Sequence, residues 1–501
     1  MDLTFVDEVF VPDARNAPTQ KQFNMILDTS FPASYAQLSP ISIERAVRRA
    51  AARSYRLCSG VEESRKRWYQ PRKAVLLADR ASALPVNVRV YSRRPTEEEV
   101  IQFMEYEVNT DFDVNGLLWR ATFFRSETEL RMVYCICHGI ADGLSLALIS
   151  KNILDELRWM SKHANDDKNW DVKIDMKSFP DVSELPMYKV GVLSFVYLAI
   201  LAAFTYLFGL WNLLTSSLVP FNYRRLHLSK PIEPFTLPAW HQGEKGTHVV
   251  GSFANKPRGT TIIDGFDLTP EQTEAVLSAA RVHDATVTAG LLSSCSEAFL
   301  RIRKASVEKK GKLAHYPLPL VISLSVRHVV PREHQLCVGN YATLGFVPFS
   351  KFSVQNDRKT FWRRGRDALN VMKFTAQFAA EAAALGFLLV KRRWVKMSYL
   401  SPFRFCPIAV MNLGVAFDKL FGDSEFEDRE LMERARGTVD ADMFFSPQFS
   451  NACVTVNGRM FVTVSASCKH TSRETLAKYV QHVKESLLAQ SGWRQDLVTE
   501  K

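Results

Sequence analysis

Hydrophobic positions along the chain switch repeatedly between a period of two and a period near 3.6. In "LPVNVRVYS", residues 84–92, Val86, Val88 and Val90 fall on one face, which predicts a strand. "TEEEVIQFMEYEV" places Glu99 three residues after Thr96, the spacing of a capping box, and predicts a helix. "LWRATFFRSETELRMVYCIC", residues 118–137, reads as two strands around the polar turn Ser126–Glu129. Beyond Gly143, the residues Leu146, Ile149, Ile153, Leu157 and Met160 recur at helical spacing. The second half repeats the style. Thr269, Pro270 and Gln272 suit the cap, first and third positions of a helix "PEQTEAVLSAARVH", and Thr286 suits the cap of the next. "PLPLVISLSVR", residues 317–327, is an apolar strand ending in Arg327. Two β-rich runs flank Asn457-Gly458, a strong hairpin signal, and a last helix is predicted from about Ser472 to Leu488. The pattern describes two α/β blocks, about 1–185 and about 245–495.

Between them, Val190–Tyr223 holds no Asp, Glu, Lys or Arg. A membrane-spanning helix needs about 20 apolar residues, so the run is long enough to span. Lys189 lies on one flank and Arg224, Arg225, His227 and Lys230 on the other; Trp211, Tyr197, Tyr206 and Tyr223 suit interfacial positions. A helix pair buried in a core or a dimer interface is the other reading. A second stretch, 374–396, ends in Lys391, Arg392, Arg393, Trp394 and Lys396. Glu381 argues against a span, which leaves an interfacial amphipathic helix or a packed helix with a basic end.

Composition adds limits. The 501 residues suit two or three domains, and 47% hydrophobic with 23% charged residues is ordinary globular usage. A net charge of +11 suits an anionic membrane surface or an anionic co-substrate. No zinc-finger spacing or basic-aromatic repeat is present, so nucleic acid is not expected as a partner. None of the eight cysteines forms a CxxC pair; Cys135 and Cys137, two apart on a strand, read as small core residues on one face. The opening "MDLTFVDEVFVPDARNAPTQ" does not read as a secretory signal, which points to the reducing side of a membrane.

The chemistry concentrates where the apolar strand Tyr134–Cys137 stops at His138. Taken singly, Asp142 reads as a helix cap, Gly143 as an easy turn and His138 as a satisfied polar residue. Together they place a base near pKa 6.5 on a tight loop at a strand end, with a carboxylate to brace it and a glycine to admit a substrate. No serine or cysteine nucleophile with a partnered base stands out, so direct transfer with one general base is expected.

His138-Gly139-Ile140-Ala141-Asp142-Gly143 resembles the HHxxxDG motif of the chloramphenicol-acetyltransferase-like superfamily. That superfamily includes condensation domains, alcohol acetyltransferases, polyketide-associated acyltransferases and wax ester synthases. The helices after Leu268, the stretch 321–349 and the "VMNLG" turn at 410–414 are similar to its second subdomain, so the resemblance spans most of the chain apart from 186–245. It implies two similar α/β subdomains, 1–185 and 246–501, with a channel between them; the hydrophobic stretch 186–245, outside the resemblance, reads as a helical insertion. His138 matches the catalytic histidine, which deprotonates an acceptor hydroxyl or amine for attack on a thioester. Asp142 matches the aspartate that braces the loop by a salt bridge, and Arg327 is its natural partner. Gly143 lies beside the channel, and Asn412 is a candidate for substrate binding or merely a turn residue before Gly414. Cys137 departs from the pattern, replacing a first histidine that is generally structural.

The implied activity is transfer of an acyl group from acyl-CoA, a co-substrate, to the hydroxyl of a hydrophobic or lipid acceptor, without resident cofactor or metal. An acyl carrier protein is the alternative donor, in a condensation-type reaction forming an amide or ester. A catalytically retired protein on this fold is the third reading. If 190–223 crossed a membrane once, His138 and Arg327 would lie on opposite sides, so a monotopic or peripheral attachment on the cytoplasmic side is expected.

Overall fold

The computed structural model describes residues 22–62, 73–113, 115–163, 170–176, 196, 247–251, 257, 259–307, 317–325, 327, 332, 335–351, 357–371, 407–416, 419–420, 434–439, 441, 447–469 and 471–493. The apolar segment 374–396, and 190–223 apart from Val196, lie outside them. Among the described residues no helix is long and apolar enough to cross a membrane.

Fourteen strands are described: β1 (Asn24–Phe31), β2 (Ser59–Glu62), β3 (Lys73–Leu76), β4 (Val88–Tyr91), β5 (Trp119–Arg125), β6 (Leu130–Cys137), β7 (His248–Val250), β8 (Thr261–Leu268), β9 (Pro317–Ser325), β10 (Ala342–Lys351), β11 (Ile408–Gly414), β12 (Arg434–Val439), β13 (Phe449–Val456) and β14 (Arg459–Ser467). The principal helices are α1 (Pro40–Ala52), α2 (Glu97–Val108), α3 (Gly143–Lys162), α4 (Pro270–Val282), α5 (Val287–Val307) and α6 (Arg473–Ser491).

The strands form two six-stranded sheets, ordered β12-β1-β6-β5-β4-β7 and β10-β9-β11-β13-β14-β8, plus the β2-β3 ribbon. Both large sheets are mixed: β4 runs parallel to β5, and β11 parallel to β9 and β13. Each sheet has its own apolar core. Helices α1 and α3 pack together over the first, and α5 with α6 over the second. The helical stripe Leu146, Ile149, Ile153, Leu157 and Met160 is buried throughout, as its spacing requires.

Local signals fold as their chemistry dictates. Thr96 and Glu99 close a reciprocal capping box on α2, and Thr269 with Gln272 closes another on α4. Asn457 and Gly458 both take positive φ, 49° and 73°, as a tight two-residue hairpin demands.

Two short strands cross the division drawn from sequence. β7 and β12 follow the apolar segment in the chain yet complete the two edges of the first sheet. Glu97 holds β12 there through Arg434 and Arg436. The halves also meet at the end of α2. Asn109 donates to the Thr261 carbonyl (2.7 Å) and accepts from its N–H (2.9 Å). Buried Glu105 accepts from Arg473 and from the Ile263 N–H (2.8 Å).

Candidate active site

Strand β6 lies between β1 and β5 in the first sheet, and all eight of its residues are buried. Its extension delivers His138 to the loop that opens α3. The His138 N–H donates to the Phe23 carbonyl (2.7 Å), and the Phe23 ring stacks on the imidazole at 5.1 Å between centroids. His138 is half-buried between buried neighbours. Burial pushes its pKa below the ordinary 6.5; contact with its own carbonyl, the Asp142 charge and the Ala141 carbonyl oppose that push without cancelling it. At neutral pH the ring is therefore a neutral base.

Asp142 is the cap of α3 and much else. Oδ1 accepts from the Ser145 N–H and Oγ, both at 2.8 Å, while Oδ2 accepts from the Tyr341 N–H at 3.1 Å. Arg327, just beyond β9 of the other half, closes the ion pair with 2.8 Å from Nη2 to Oδ1. Both side chains are buried, at 3% and 5% exposure, so the charges must neutralise one another. Burial alone would raise the Asp142 pKa, but the Arg327 charge and the Ser145 donors hold it below the ordinary carboxylate value. Arg327 also donates to the carbonyls of Gln335 (2.8 Å), Cys337 (2.7 Å) and Gly339 (3.2 Å), and its guanidinium lies 4.4 Å over the Tyr341 ring. The loop after β9 is thus knotted onto the loop after β6, and His138 is held at the junction.

Gly143 faces the second half directly. A Cβ there would meet Leu413 Cδ2 at 2.8 Å. Leu413 follows Asn412 at the end of β11, so all five sequence-identified residues lie around one junction. Asn412 donates to Thr288 Oγ1 on α5 (2.9 Å) and accepts from the Gly414 N–H (2.7 Å), bracing the turn where Gly414 takes φ 56°. The turn role is thus visible; Phe23, His138, Gly143, Met411, Asn412, Leu413 and Thr288 share partial exposure around it.

Three members were not singled out from sequence. Ser145, three residues after Asp142, accepts from the Gly339 N–H (3.0 Å) and Arg327 (2.9 Å) while donating to the Asp142 side. Its cap spacing was legible, its long-range partners were not. Asn340 donates to the His138 carbonyl (2.7 Å) and lies 3.1 Å from Nδ1. Phe23 lies more than a hundred residues upstream and had no local signal. Cys137, in place of a histidine, is fully buried, and its N–H donates to the Leu118 carbonyl (2.8 Å) as an ordinary strand residue.

No protein-family model and no curated protein matches the sequence. Solved structures do match. The trichothecene 15-O-acetyltransferase TRI3 from Fusarium sporotrichioides superposes with a TM-score of 0.64 at 11% identity, over 98% of this chain and 95% of that one. The EpoB cyclization-docking bidomain from Sorangium cellulosum superposes with 0.58 at 12% identity, over 98% and 84%. Polyketide synthase associated protein 5 from Mycobacterium tuberculosis superposes with 0.52 at 11% identity, over 98% and 97%. The likeness is one of fold: the chain shares the architecture of these acetyltransferase, cyclization-domain and polyketide-synthase-associated structures.

Proposed function

We propose that the chain is an acyltransferase that moves an acyl group from a thioester to the hydroxyl of a hydrophobic acceptor. The observation that carries this reading is His138, a half-buried neutral imidazole on a loop fixed by the buried Asp142–Arg327 pair. Nδ1 lies on the side of Asn340, and we assign the proton transfer to Nε2, the other ring nitrogen. As the acceptor oxygen attacks the thioester carbon, its proton moves to Nε2. The tetrahedral intermediate collapses, the C–S bond breaks, and the imidazolium returns the proton to the leaving thiolate. Ester and free thiol result. A single positioned base contributes about 10²–10⁴ in rate.

Acyl-CoA is the proposed donor, and the likeness in fold to the acetyltransferase TRI3 supports it. The cyclization-docking neighbour supports the alternative, a donor carried on a separate carrier protein in a condensation-type reaction.

A membrane surface is the proposed setting. The run Val190–Tyr223 supports it, and so do the positions of Asp175 and His248, which precede and follow it in the chain. Asp175 donates its N–H to the Ala52 carbonyl (2.8 Å), and His248 contacts Glu44 (2.6 Å). Both partners lie on α1, eight residues or about 12 Å apart at 1.5 Å per residue. The nearness of Asp175 and His248 to one helix suits monotopic attachment, and we assign both halves to the cytoplasmic side.

The deciding experiment measures free-thiol release from short- and long-chain acyl-CoAs with a panel of alcohols, beside His138→Ala. Alcohol-dependent release that falls about a hundredfold or more in the variant supports the reading. Ester formation that is indifferent to His138→Ala would sink it. Release only from an acylated carrier protein would select the alternative donor. Sedimentation of the full chain with membranes, unchanged when 190–223 is deleted, would defeat the anchor.

A further inference from the structure

We propose that Leu413, carried on a β-bulge at the end of β11, is a specificity-determining residue that bars branching next to the reacting hydroxyl, so that the protein takes primary rather than secondary hydrophobic alcohols. The inference deepens the acyltransferase reading and rests on it for the identity of the molecule that passes Leu413.

The bulge is visible in the register of the second sheet. Strand β11 runs in step with β13 from Ile408↔Phe449 to Asn412↔Cys453, but the next pair is Gly414↔Val454. There β11 advances two residues while β13 advances one, and Leu413 is the extra residue. A bulge of this kind interrupts the ladder and re-aims a side chain. Its two neighbours maintain it. Asn412 donates to Thr288 Oγ1 (2.9 Å) and accepts from the Gly414 N–H (2.7 Å). Gly414 takes φ 56°, and nothing lies within 4 Å of where its Cβ would stand. Glycine is there for its left-handed backbone, not for lack of room.

The side chain so aimed leaves its own half. Ile408 and Val410 belong to the core of the second sheet, and Asn412 follows them toward α5. Met411 and Leu413 alternate to the opposite face and pack against the core of the first half. At Gly143 the approach is tight: a Cβ would meet Leu413 Cδ2 at 2.8 Å and both Cδ1 and Cγ at 3.5 Å. All three are side-chain atoms, so the isobutyl group itself fills the space that Gly143 leaves. The pair sits on the same short loop as His138, turned by the Ile140 N–H on the Cys137 carbonyl (3.1 Å). A molecule entering beside the imidazole therefore meets Phe23, Met411 and Leu413, all half-buried, apolar and uncharged. A carbinol carbon with one alkyl chain turns only hydrogens toward the leucine. A second alkyl substituent needs the volume that the leucine methyls occupy. One misfitted methylene in an apolar pocket is worth about 10–200-fold in discrimination.

The test uses the full chain and a matched pair of acceptors, octan-1-ol and octan-2-ol, with acyl-CoA as donor. The ratio of kcat/KM for the secondary alcohol to that for the primary one should rise about tenfold or more in Leu413→Ala, and should fall below the wild-type ratio in Leu413→Phe. A leucine that served only stability would change both rates together and leave the ratio alone. A second measurement needs no turnover. 2-Bromoacetamide and 2-bromopropanamide differ by a methyl on the reacting carbon. A ring nitrogen of His138 displaces bromide, a C–N bond forms and the ring proton goes to solvent. Mass spectrometry of the His138 peptide gives the two rates, each divided by the rate with free N-acetylhistidine. The branched-to-unbranched ratio should likewise rise in Leu413→Ala.

Alcohol-dependent transfer that needs His138, with the same secondary-to-primary ratio in wild type and Leu413→Ala, overturns the inference and leaves the acyltransferase reading standing. Where no donor is turned over, the acyltransferase reading falls, and the alkylation ratio decides: a rise in Leu413→Ala upholds Leu413 as the barrier beside His138, and an unchanged ratio overturns it.

Discussion

Replacing Arg327 with methionine tests the knot that holds the site. The guanidinium donates to Asp142 at 2.8 and 3.3 Å, to Ser145 Oγ at 2.9 Å, and to the carbonyls of Gln335, Cys337 and Gly339. Methionine fills similar space and offers none of these donors. Asp142 keeps the Ser145 and Tyr341 donors, but its charge is left buried and unpaired. Losing one partner of a buried pair costs about 3–5 kcal/mol, a third or more of a stability of about 10 kcal/mol. Urea unfolding of both proteins, followed by tryptophan fluorescence and circular dichroism, measures the difference. Adding Asp142→Asn removes the stranded charge and should recover about 1–3 kcal/mol. The sign with pH follows from the depressed Asp142 pKa. The pair's contribution is complete above the ordinary 3.8 and is lost as pH falls through the lower folded value, so the variant's deficit should shrink on acidification. A deficit below about 1 kcal/mol at neutral pH, or a strictly additive double variant, refutes the argument.

Burial lowers the His138 pKa, so kcat/KM for acyl transfer should fall on acidification along a limb centred below 6.5; a limb at or above that value contradicts the assignment of the neutral ring as base. Gly365→Ala would bring a Cβ to 2.0 Å from the Ala289 carbonyl oxygen, a backbone atom that cannot rotate aside, and should cost about 1–3 kcal/mol in urea unfolding. Gly143→Ala meets only the tip of Leu413, so stability should barely change while KM for the acceptor rises, and Leu413→Ala should reverse the rise. Burial raises the Glu97 pKa, but hydrogen bonds from Arg434 and Arg131 overcome it and bring the value to about 2. Its contribution is complete above the ordinary 4.5 and disappears as pH falls through about 2; because the side chain is half-exposed, Glu97→Gln should cost no more than about 1 kcal/mol, and acid titration of both proteins should show the gap closing.

What could be read from the chain were the features whose physics is local. The capping boxes at Thr96 and Thr269, the Asn457-Gly458 hairpin and the buried stripe of α3 involve neighbours within a few residues, so spacing alone specifies them. The same holds for His138 at a strand end and Asp142 at a helix start. The Arg327 partnership was legible through a resemblance, since nothing local connects residues 142 and 327. Only the tertiary structure decided the rest. β12 returns to the first sheet because Glu97 and the edge of β1 await it, long-range partners that no period announces. Asn340 in Gly339-Asn340-Tyr341 looks like any turn residue until folding brings it 2.7 Å from a carbonyl 202 positions away. Hydrogen bonds of that kind depend on where two loops meet, and the position of a loop is set by the packing of both sheets rather than by its own sequence.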